Sequence, residues 1–309
     1  MSHGPSCHPH SHAHGQARAG YGRAFAIGIA LNLAYVIAEA GYGVASGSLS
    51  LLADAGHNLG DVLGLGLSWG AAALSRRGPS VRFTYGFRSS SILAALANAI
   101  ILLVVTGGIV WEALWRLGHP VPVAGATVAW VAGVGIAVNG ATALLFAGGR
   151  NSDLNLKSAF LHMAADALIA LGVVVAGAVI ALTGWLWLDP AVGLAISAVI
   201  VYGTWDLVKQ ALSLALDAVP QGIDAAAVRA HLLALPGVTA LHDLHIWGMS
   251  TTETALTCHL VMPGGHPGDE ALSHIAHELE HRFGVQHSTL QIEIGDSGEV
   301  CALTPEHVV

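Results

Sequence analysis

Apolar residues gather into six long stretches over the first two thirds of the chain, with short polar segments between them. The stretches cover approximately residues 23–45, 49–74, 90–116, 122–147, 156–183 and 188–214. Each is longer than the roughly 20 residues with which a helix crosses the hydrocarbon core of a bilayer. Glycine and alanine recur along them, which permits close helix packing within a membrane. The pattern predicts an α-helical membrane protein with six transmembrane helices within residues 21–215.

The remaining residues, 216–309, have the mixed polarity of a small α/β domain. Their pattern predicts helices at 223–235 and 269–283 and strands at 238–247, 253–261 and 288–294. In the last strand apolar and polar side chains alternate, with Leu290, Ile292 and Ile294 on one face and Thr289, Gln291 and Glu293 on the other. Such alternation is typical of a sheet that helices cover on one face only.

The composition agrees with a membrane protein. Hydrophobic residues make up 54% of the chain and charged residues 10%, and the mean hydropathy is +0.62, whereas soluble domains have about 25% charged residues. The formal net charge of -8 argues against a nucleic-acid partner and is compatible with the handling of cations. The three cysteines, Cys7, Cys258 and Cys301, are odd in number and widely spaced, so they predict no disulfide framework.

The first 20 residues form a polar, low-complexity arm that is rich in histidine. It contains His3, His8, His10, His12 and His14. The arm has too few apolar residues to form a core and is predicted to be disordered, with a loose affinity for metal ions. It lacks the apolar segment of a secretory signal peptide.

Basic residues predict the orientation in the membrane. One set of helix ends carries Arg18, Arg23, Arg76, Arg77, Arg82, Arg88, Arg150, Lys157 and Lys209, whereas the opposite set carries Arg116. Because positively charged loops stay in the cytoplasm, both termini are predicted to be cytoplasmic.

Two of the predicted transmembrane helices carry the same His-x-x-x-Asp spacing, at His57 and Asp61 and at His162 and Asp166. Residues four apart lie on one face of a helix, so each helix presents one imidazole and one carboxylate. An ionised Asp in mid-membrane costs roughly 2.5 to 3.5 kcal/mol unless a cation compensates it. Two nitrogen and two oxygen ligands suit a divalent metal of the zinc, cobalt and cadmium type.

A simpler interpretation is that a His-Asp pair only forms a hydrogen bond between two helices. One pair alone would leave the two interpretations balanced, but two pairs in the middle of two helices favour a shared metal site. Asp54 lies on the same helix face as His57 and Asp61. It is predicted to accept a hydrogen bond from one of the ligands, or to line a hydrated entry funnel, rather than to bind the metal itself.

These features together identify the chain as similar to the cation diffusion facilitator family, in its zinc-transporting branch. The resemblance covers residues 16–296 and rests on the stretches SLSLLADAGHNLGD, FTYGFRSSSILAALAN, LHMAADAL, HDLHIW and HSTLQIE. It implies a proton-coupled antiporter that works as a homodimer and has a ferredoxin-like cytoplasmic domain. The family's transport ligands fall on His57, Asp61, His162 and Asp166.

The same resemblance implies zinc ligands in the cytoplasmic domain at His242, His259, His287 and Glu293, with His274 as a further candidate. The chain departs from the family after FTYGFR, where serines at 89–91 replace the usual Arg-x-Glu. The loop between the fourth and fifth spans is short and lacks the histidine-rich insert of many organellar relatives. Its absence favours a bacterial plasma-membrane (inner-membrane) protein.

The sequence therefore predicts a secondary transporter, not an enzyme, that exports Zn²⁺, with Cd²⁺ and Co²⁺ as competing substrates, in exchange for protons. Its expected partners are the metal ion, the proton, the lipid bilayer and a second copy of the chain. One alternative is an intramembrane zinc-dependent hydrolase, but no predicted membrane span contains a His-Glu-x-x-His motif. The stretch His277 to His281 matches that pattern but lies in the predicted helix at 269–283, outside the membrane part of the chain. A second alternative is a metal-sensing membrane receptor, which would not need two acidic pairs within the membrane.

Overall fold

The computed structural model describes residues 18–147 and 154–295. Most of the predicted histidine-rich arm, residues 1–17, lies outside the described residues, and so do 148–153 and the carboxy-terminal residues from 296 onward. The last three residues that were predicted to belong to the arm, 18–20, are already part of the first helix.

Six long helices follow one another through the apolar part of the chain. They are α1 (Arg18–Ser46), α2 (Leu49–Ser75), α3 (Ser90–Gly118), α4 (Gly125–Ala147), α5 (Leu154–Thr183) and α6 (Leu188–Ala215). Within the described residues, four helical segments are long and apolar enough to cross a membrane. These are Ser90–Gly118, Gly125–Leu144, Phe160–Thr183 and Leu188–Ala215.

Glycine allows α4 and α5 to pack backbone against backbone. A Cβ atom on Gly125 would lie 2.6 Å from the carbonyl oxygen of Gly177, and one on Gly177 would lie 2.6 Å from the amide nitrogen of Ala129. Any larger residue would push the two helices apart at this crossing. Small residues at such crossings are how membrane helices gain close van der Waals contact.

The chain divides into two compact units. The first contains the residues up to Val62 together with Val105–Ile200, and the second contains Leu63–Val104 together with the residues from Val201 onward. Three helices, α2, α3 and α6, contribute to both units. Both predicted His-Asp pairs lie in the first unit, and the carboxy-terminal α/β region lies in the second.

The α/β region contains α7 (Ala225–Leu233), β1 (Ala240–Gly248), β2 (Thr254–Val261), α8 (Asp269–Phe283) and β3 (His287–Glu293). The central strand β2 pairs with β1 in antiparallel and with β3 in parallel orientation, so the sheet is mixed. A complete ferredoxin-like βαββαβ arrangement has four strands. The described residues contain three, because no strand precedes α7 among them.

One apolar core joins the sheet to its two helices. Leu232 of α7, Leu256 and Leu260 of β2 and Leu279 of α8 are all fully buried within it. Full burial of a leucine side chain contributes about 1.5 to 3 kcal/mol, so these four residues account for much of the region's stability. The opposite face of the sheet carries the histidines.

Candidate metal centres

The two predicted His-Asp pairs meet in the first unit, one from α2 and one from α5. His162 Nε2 lies 3.1 Å from Asp61 Oδ2 and 3.7 Å from Asp166 Oδ2. His57 Nε2 lies 3.4 Å from Asp166 Oδ1 and 4.0 Å from Asp61 Oδ2. Each histidine therefore approaches both carboxylates. We call these four residues the membrane centre.

The spacing of the membrane centre suits a small divalent ion. Bonds of about 2.1 Å in a tetrahedral zinc site put neighbouring donor atoms about 3.4 Å apart. The four nitrogen-to-oxygen distances, 3.1 to 4.0 Å, lie around that value. One donor atom each from Asp61, His162 and Asp166 lies within 4.8 Å of the others, whereas His57 is not part of that tighter group and its ring centroid lies 6.1 Å from that of His162. Both carboxylate oxygens of Asp166 are buried and receive no hydrogen bond from the described residues. Buried carboxylate oxygens without a hydrogen bond fit a site that binds a cation.

The four side chains differ in exposure. Asp166 is 2% exposed and His57 is 19% exposed, whereas Asp61 and His162 are 34% and 42% exposed. The centre thus combines two less exposed side chains, His57 and Asp166, with two more exposed ones, Asp61 and His162. The more exposed pair is where an ion could enter or leave. Asp54 lies one turn before His57 and is buried. Its predicted role beside the ligands stays a prediction.

Asp189, at the start of α6, fixes the beginning of the helix that carries His57 and Asp61. Its carboxylate is fully buried and accepts hydrogen bonds from the Ser48 hydroxyl at 2.6 Å, the Leu49 amide at 2.6 Å and the Ser50 hydroxyl at 2.6 Å. A carboxylate at a helix N-terminus satisfies free amide groups and interacts favourably with the helix dipole. Sequence reasoning missed this role, because an acidic residue that begins one helix gives no signal that it caps another.

We expect Asp189→Ala to lower the free energy of unfolding by at least about 2 kcal/mol, since it removes a helix cap and leaves buried donors unsatisfied. Thermal unfolding in detergent measures the change. Asp206→Ala is the matched control, because Asp206 lies on the same helix with a side chain that is 59% exposed. Equal melting temperatures for the two variants would contradict the capping role.

A second group of possible ligands lies on the polar face of the sheet. His242 of β1 and His259 of β2 are directly opposite each other, with ring centroids 5.0 Å apart. Glu293 of β3 reaches both, with 2.8 Å between its Oε1 and His259 Nδ1 and 3.3 Å between its Oε2 and His242 Nε2. One donor atom from each residue lies within 4.8 Å of the others. We call these three residues the sheet centre.

Two residues that were predicted for the sheet centre lie elsewhere. His287 begins β3, six residues before Glu293, which corresponds to about 20 Å along a strand. Its ring makes an edge contact with Tyr85 instead, with centroids 5.7 Å apart. His274 lies on α8 with a side chain that is 71% exposed, and its nearest acidic partner is Glu278 at 3.8 Å. Within one chain, the structure does not bring either residue to His242 and His259.

Cys258 is adjacent to His259 but does not belong to the sheet centre. Its side chain is part of the apolar core, on the opposite face of β2. Burial, with a smaller contribution from the charge of Asp243, raises the pKa of the Cys258 thiol to about 12. Its place in the apolar core, on the face of β2 away from His259, keeps this thiol out of the sheet centre.

Models of two domain families match nearly all of the described chain. Residues 25–214 match the cation efflux transmembrane domain, and residues 220–294 match the cytoplasmic domain of cation efflux proteins, a dimerisation domain. Among solved structures, the metal-bound C-terminal domain of the CzcD transporter from Cupriavidus metallidurans is 38% identical over 23% of this chain and 99% of that one, with a TM-score of 0.22.

Full-length relatives agree with these matches. The metal cation efflux system protein CzcD of Cupriavidus metallidurans is 35% identical, over 87% of this chain and 85% of that protein. Zinc transporter ZitB of Escherichia coli is 34% identical, over 87% of this chain and 86% of that protein. The cadmium, cobalt and zinc/H(+)-K(+) antiporter of Bacillus subtilis is 31% identical, over 84% and 85%. With a helical membrane domain followed by a cytoplasmic domain with a small mixed sheet, this chain belongs to the cation efflux family, whose members are metal transporters and not enzymes.

Proposed function

We propose that this cation efflux protein exports Zn²⁺ from the cytoplasm in exchange for protons, with Cd²⁺ and Co²⁺ as further substrates. The observation that carries the proposal is the convergence of two imidazoles and two carboxylates from α2 and α5. Mixed nitrogen and oxygen ligands favour borderline metals over the hard ions Mg²⁺ and Ca²⁺. The names of the relatives, which include zinc transporters and a cadmium, cobalt and zinc antiporter, agree with this substrate class.

Exchange for protons follows from the chemistry of the ligands. Histidine must be neutral and aspartate ionised to bind a metal ion, so protons and metal compete for the same atoms. An unperturbed imidazole has a pKa of about 6.5 and changes its charge close to cytoplasmic pH, so a modest proton gradient is sufficient to drive the exchange. A centre without thiolates also releases its ion more readily than a structural four-cysteine site.

We extend the proposal to the architecture. All six long helices cross the membrane, both termini are cytoplasmic, and the membrane is a bacterial plasma membrane. The chain is divided into an arm at 1–20, a transmembrane domain at 21–215 and a cytoplasmic domain at 216–309. The order α7, β1, β2, α8, β3 supports a ferredoxin-like domain without its first strand. The match to a dimerisation domain supports a homodimer.

The sheet centre is proposed to bind Zn²⁺ as a resident ion rather than as cargo. The donor set fits, because the Nε2 atom of His242 is buried, neither accepts nor donates a hydrogen bond among the described residues, and faces Glu293. An ion at this position would join all three strands, so its binding energy would also be folding energy. His287 and His274 are not part of this proposal.

Transport by purified protein in liposomes tests the proposed function. We expect zinc to enter vesicles whose lumen is more acidic than the medium, since protons that leave drive the metal in. Uptake should stop when a protonophore collapses the gradient. Zinc binding without gradient-dependent uptake would contradict antiport and favour the receptor alternative.

The histidine-rich arm is proposed to raise the local metal concentration near the entrance. Replacing His3, His8, His10, His12 and His14 by glutamine keeps the length of the arm and removes its metal affinity. We expect an unchanged maximal rate and a severalfold higher half-saturating zinc concentration in the liposome assay. A variant that lacks residues 2–14 should behave in the same way. Complete loss of transport in the glutamine variant would show that the arm is part of the transport machinery.

A further inference from the structure

Asp243, beside the sheet centre, has an unusual backbone. Its φ angle is +53°, and Asp217 is the only other described non-glycine residue with a positive φ. Side chains other than glycine rarely adopt this left-handed conformation, although Asp and Asn tolerate it best. Backbone strain of this kind tends to occur at functional sites, where the surrounding structure maintains it.

The strain produces a β-bulge that reorients the strand. His242 pairs with His259 and His245 pairs with Thr257, so two residues of β1 oppose Cys258 alone. A bulge shifts the alternation of side chains between the two faces of a strand. As a result Leu244 packs against the apolar core, whereas Asp243 joins His242 on the polar face.

The carboxylate of Asp243 reaches two histidines from this position. Its Oδ1 lies 2.8 Å from Nε2 of His245, and its Oδ2 lies 3.4 Å from Nε2 of His259. The other ring nitrogen of His259, Nδ1, lies 2.8 Å from Oε1 of Glu293. The imidazole of His259 is therefore held between two carboxylates, and only one of them belongs to the sheet centre.

A neutral imidazole has one nitrogen that carries a proton and one that can bind a metal. In metal sites the N–H is usually held by a carboxylate or carbonyl, which fixes the tautomer and the orientation of the ring. The Nδ1 atom of His259 faces Glu293, and its Nε2 atom faces Asp243. We propose that Asp243 is a positioning residue, which accepts a hydrogen bond from the Nε2–H group of His259 and so presents Nδ1 to the metal ion.

This inference rests on the proposed sheet centre, and the experiment separates the two. The probe is Co²⁺, whose absorption spectrum reports on its ligands, and zinc affinity follows from competition with it. The full-length protein carries Asp61→Ala and Asp166→Ala throughout, so that the membrane centre does not contribute. Within this background, His242→Ala identifies the signal of the sheet centre.

Two substitutions at Asp243 distinguish its carboxylate from its backbone. Asn tolerates the left-handed conformation and keeps an acceptor oxygen, so Asp243→Asn should weaken zinc binding about tenfold. Glycine adopts the conformation without strain but has no acceptor, so Asp243→Gly should weaken binding up to about a hundredfold. The Co²⁺ spectrum should change in both. Asp217→Asn and Asp217→Gly are the matched controls, because Asp217 also has a positive φ, +57°, but lies outside the sheet centre. Both variants should bind metal as the background protein does.

Each outcome has a separate meaning. Wild-type affinity in Asp243→Gly, with a higher melting temperature, would show that Asp243 acts only through its backbone and would overturn the inference. If Asp243→Gly fails to fold, wild-type affinity and an unchanged Co²⁺ spectrum in Asp243→Asn would overturn it equally. Unchanged binding in His242→Ala would overturn the sheet centre itself, and the inference with it.

Discussion

We expect Asp61→Ala and Asp166→Ala each to abolish metal transport, with a loss of more than a hundredfold, while the protein continues to insert and fold. Each substitution removes one of two anionic ligands, and both histidines approach both carboxylates, so neither aspartate has a substitute. Insertion does not suffer, because a buried carboxylate at mid-membrane costs roughly 2.5 to 3.5 kcal/mol and alanine removes that cost.

Zinc uptake into proteoliposomes measures the loss, and the amount of protein in the membrane fraction measures insertion. Asp206→Ala is again the matched control. Its carboxylate lies on α6, 3.2 Å from Lys209, and is highly exposed, so transport should be unaffected. Transport at the wild-type rate in either Asp61→Ala or Asp166→Ala would show that the membrane centre does not carry the metal ion.

We expect the removal of both histidines of the sheet centre to abolish the stabilisation of the cytoplasmic domain by zinc. A ligand that binds only the folded state at 100 times its Kd adds about 2.7 kcal/mol to the free energy of unfolding. In the wild-type protein this gain should appear as slower hydrogen exchange in β1, β2 and β3 when zinc is added. In the His242→Ala, His259→Ala variant, zinc should leave the exchange rates of the three strands unchanged.

The control for this experiment removes two histidines of the same domain that lie outside the sheet centre. His277 and His281 lie on α8, with ring centroids 4.1 Å apart. Their double alanine variant should retain the full effect of zinc. Equal protection by zinc in both double variants would mean that the metal binds elsewhere in the domain, and the sheet centre would be excluded.

Element positions were largely predictable from the sequence. Apolar runs of more than 20 residues predicted all six long helices to within a few residues of α1 to α6, and period-two alternation predicted β3. Local signals also define the ends of shorter elements. Asp224 caps α7 through hydrogen bonds from the amides of Ala226 and Ala227, and α8 ends at Gly284 with a φ of +70°.

The loop between α2 and α3 shows what a family pattern misses. Serines at 89–91, where this loop joins α3, replace the Arg-x-Glu that the family usually has. A charged contact is nevertheless present at the preceding position, since Arg88 Nη1 lies 2.9 Å from Glu253 Oε2. The hydroxyl of Ser91 accepts a hydrogen bond from the amide of Thr251 at 3.1 Å. A pattern match compares aligned positions, whereas a contact depends only on which atoms meet in space.

The sequence by itself determined which side chains share a face within one element. The four-residue spacing put His57 with Asp61 and His162 with Asp166, because the period of an α-helix is independent of its surroundings. Which elements face each other depends on packing between residues far apart in the chain, and only the tertiary structure decided it. It brought the His-Asp pair of α2 to that of α5 and directed Asp189 to the start of α2. The β-bulge at Asp243 was likewise decided by the tertiary structure, because only the pairing of β1 with β2 determines where an extra residue must be accommodated.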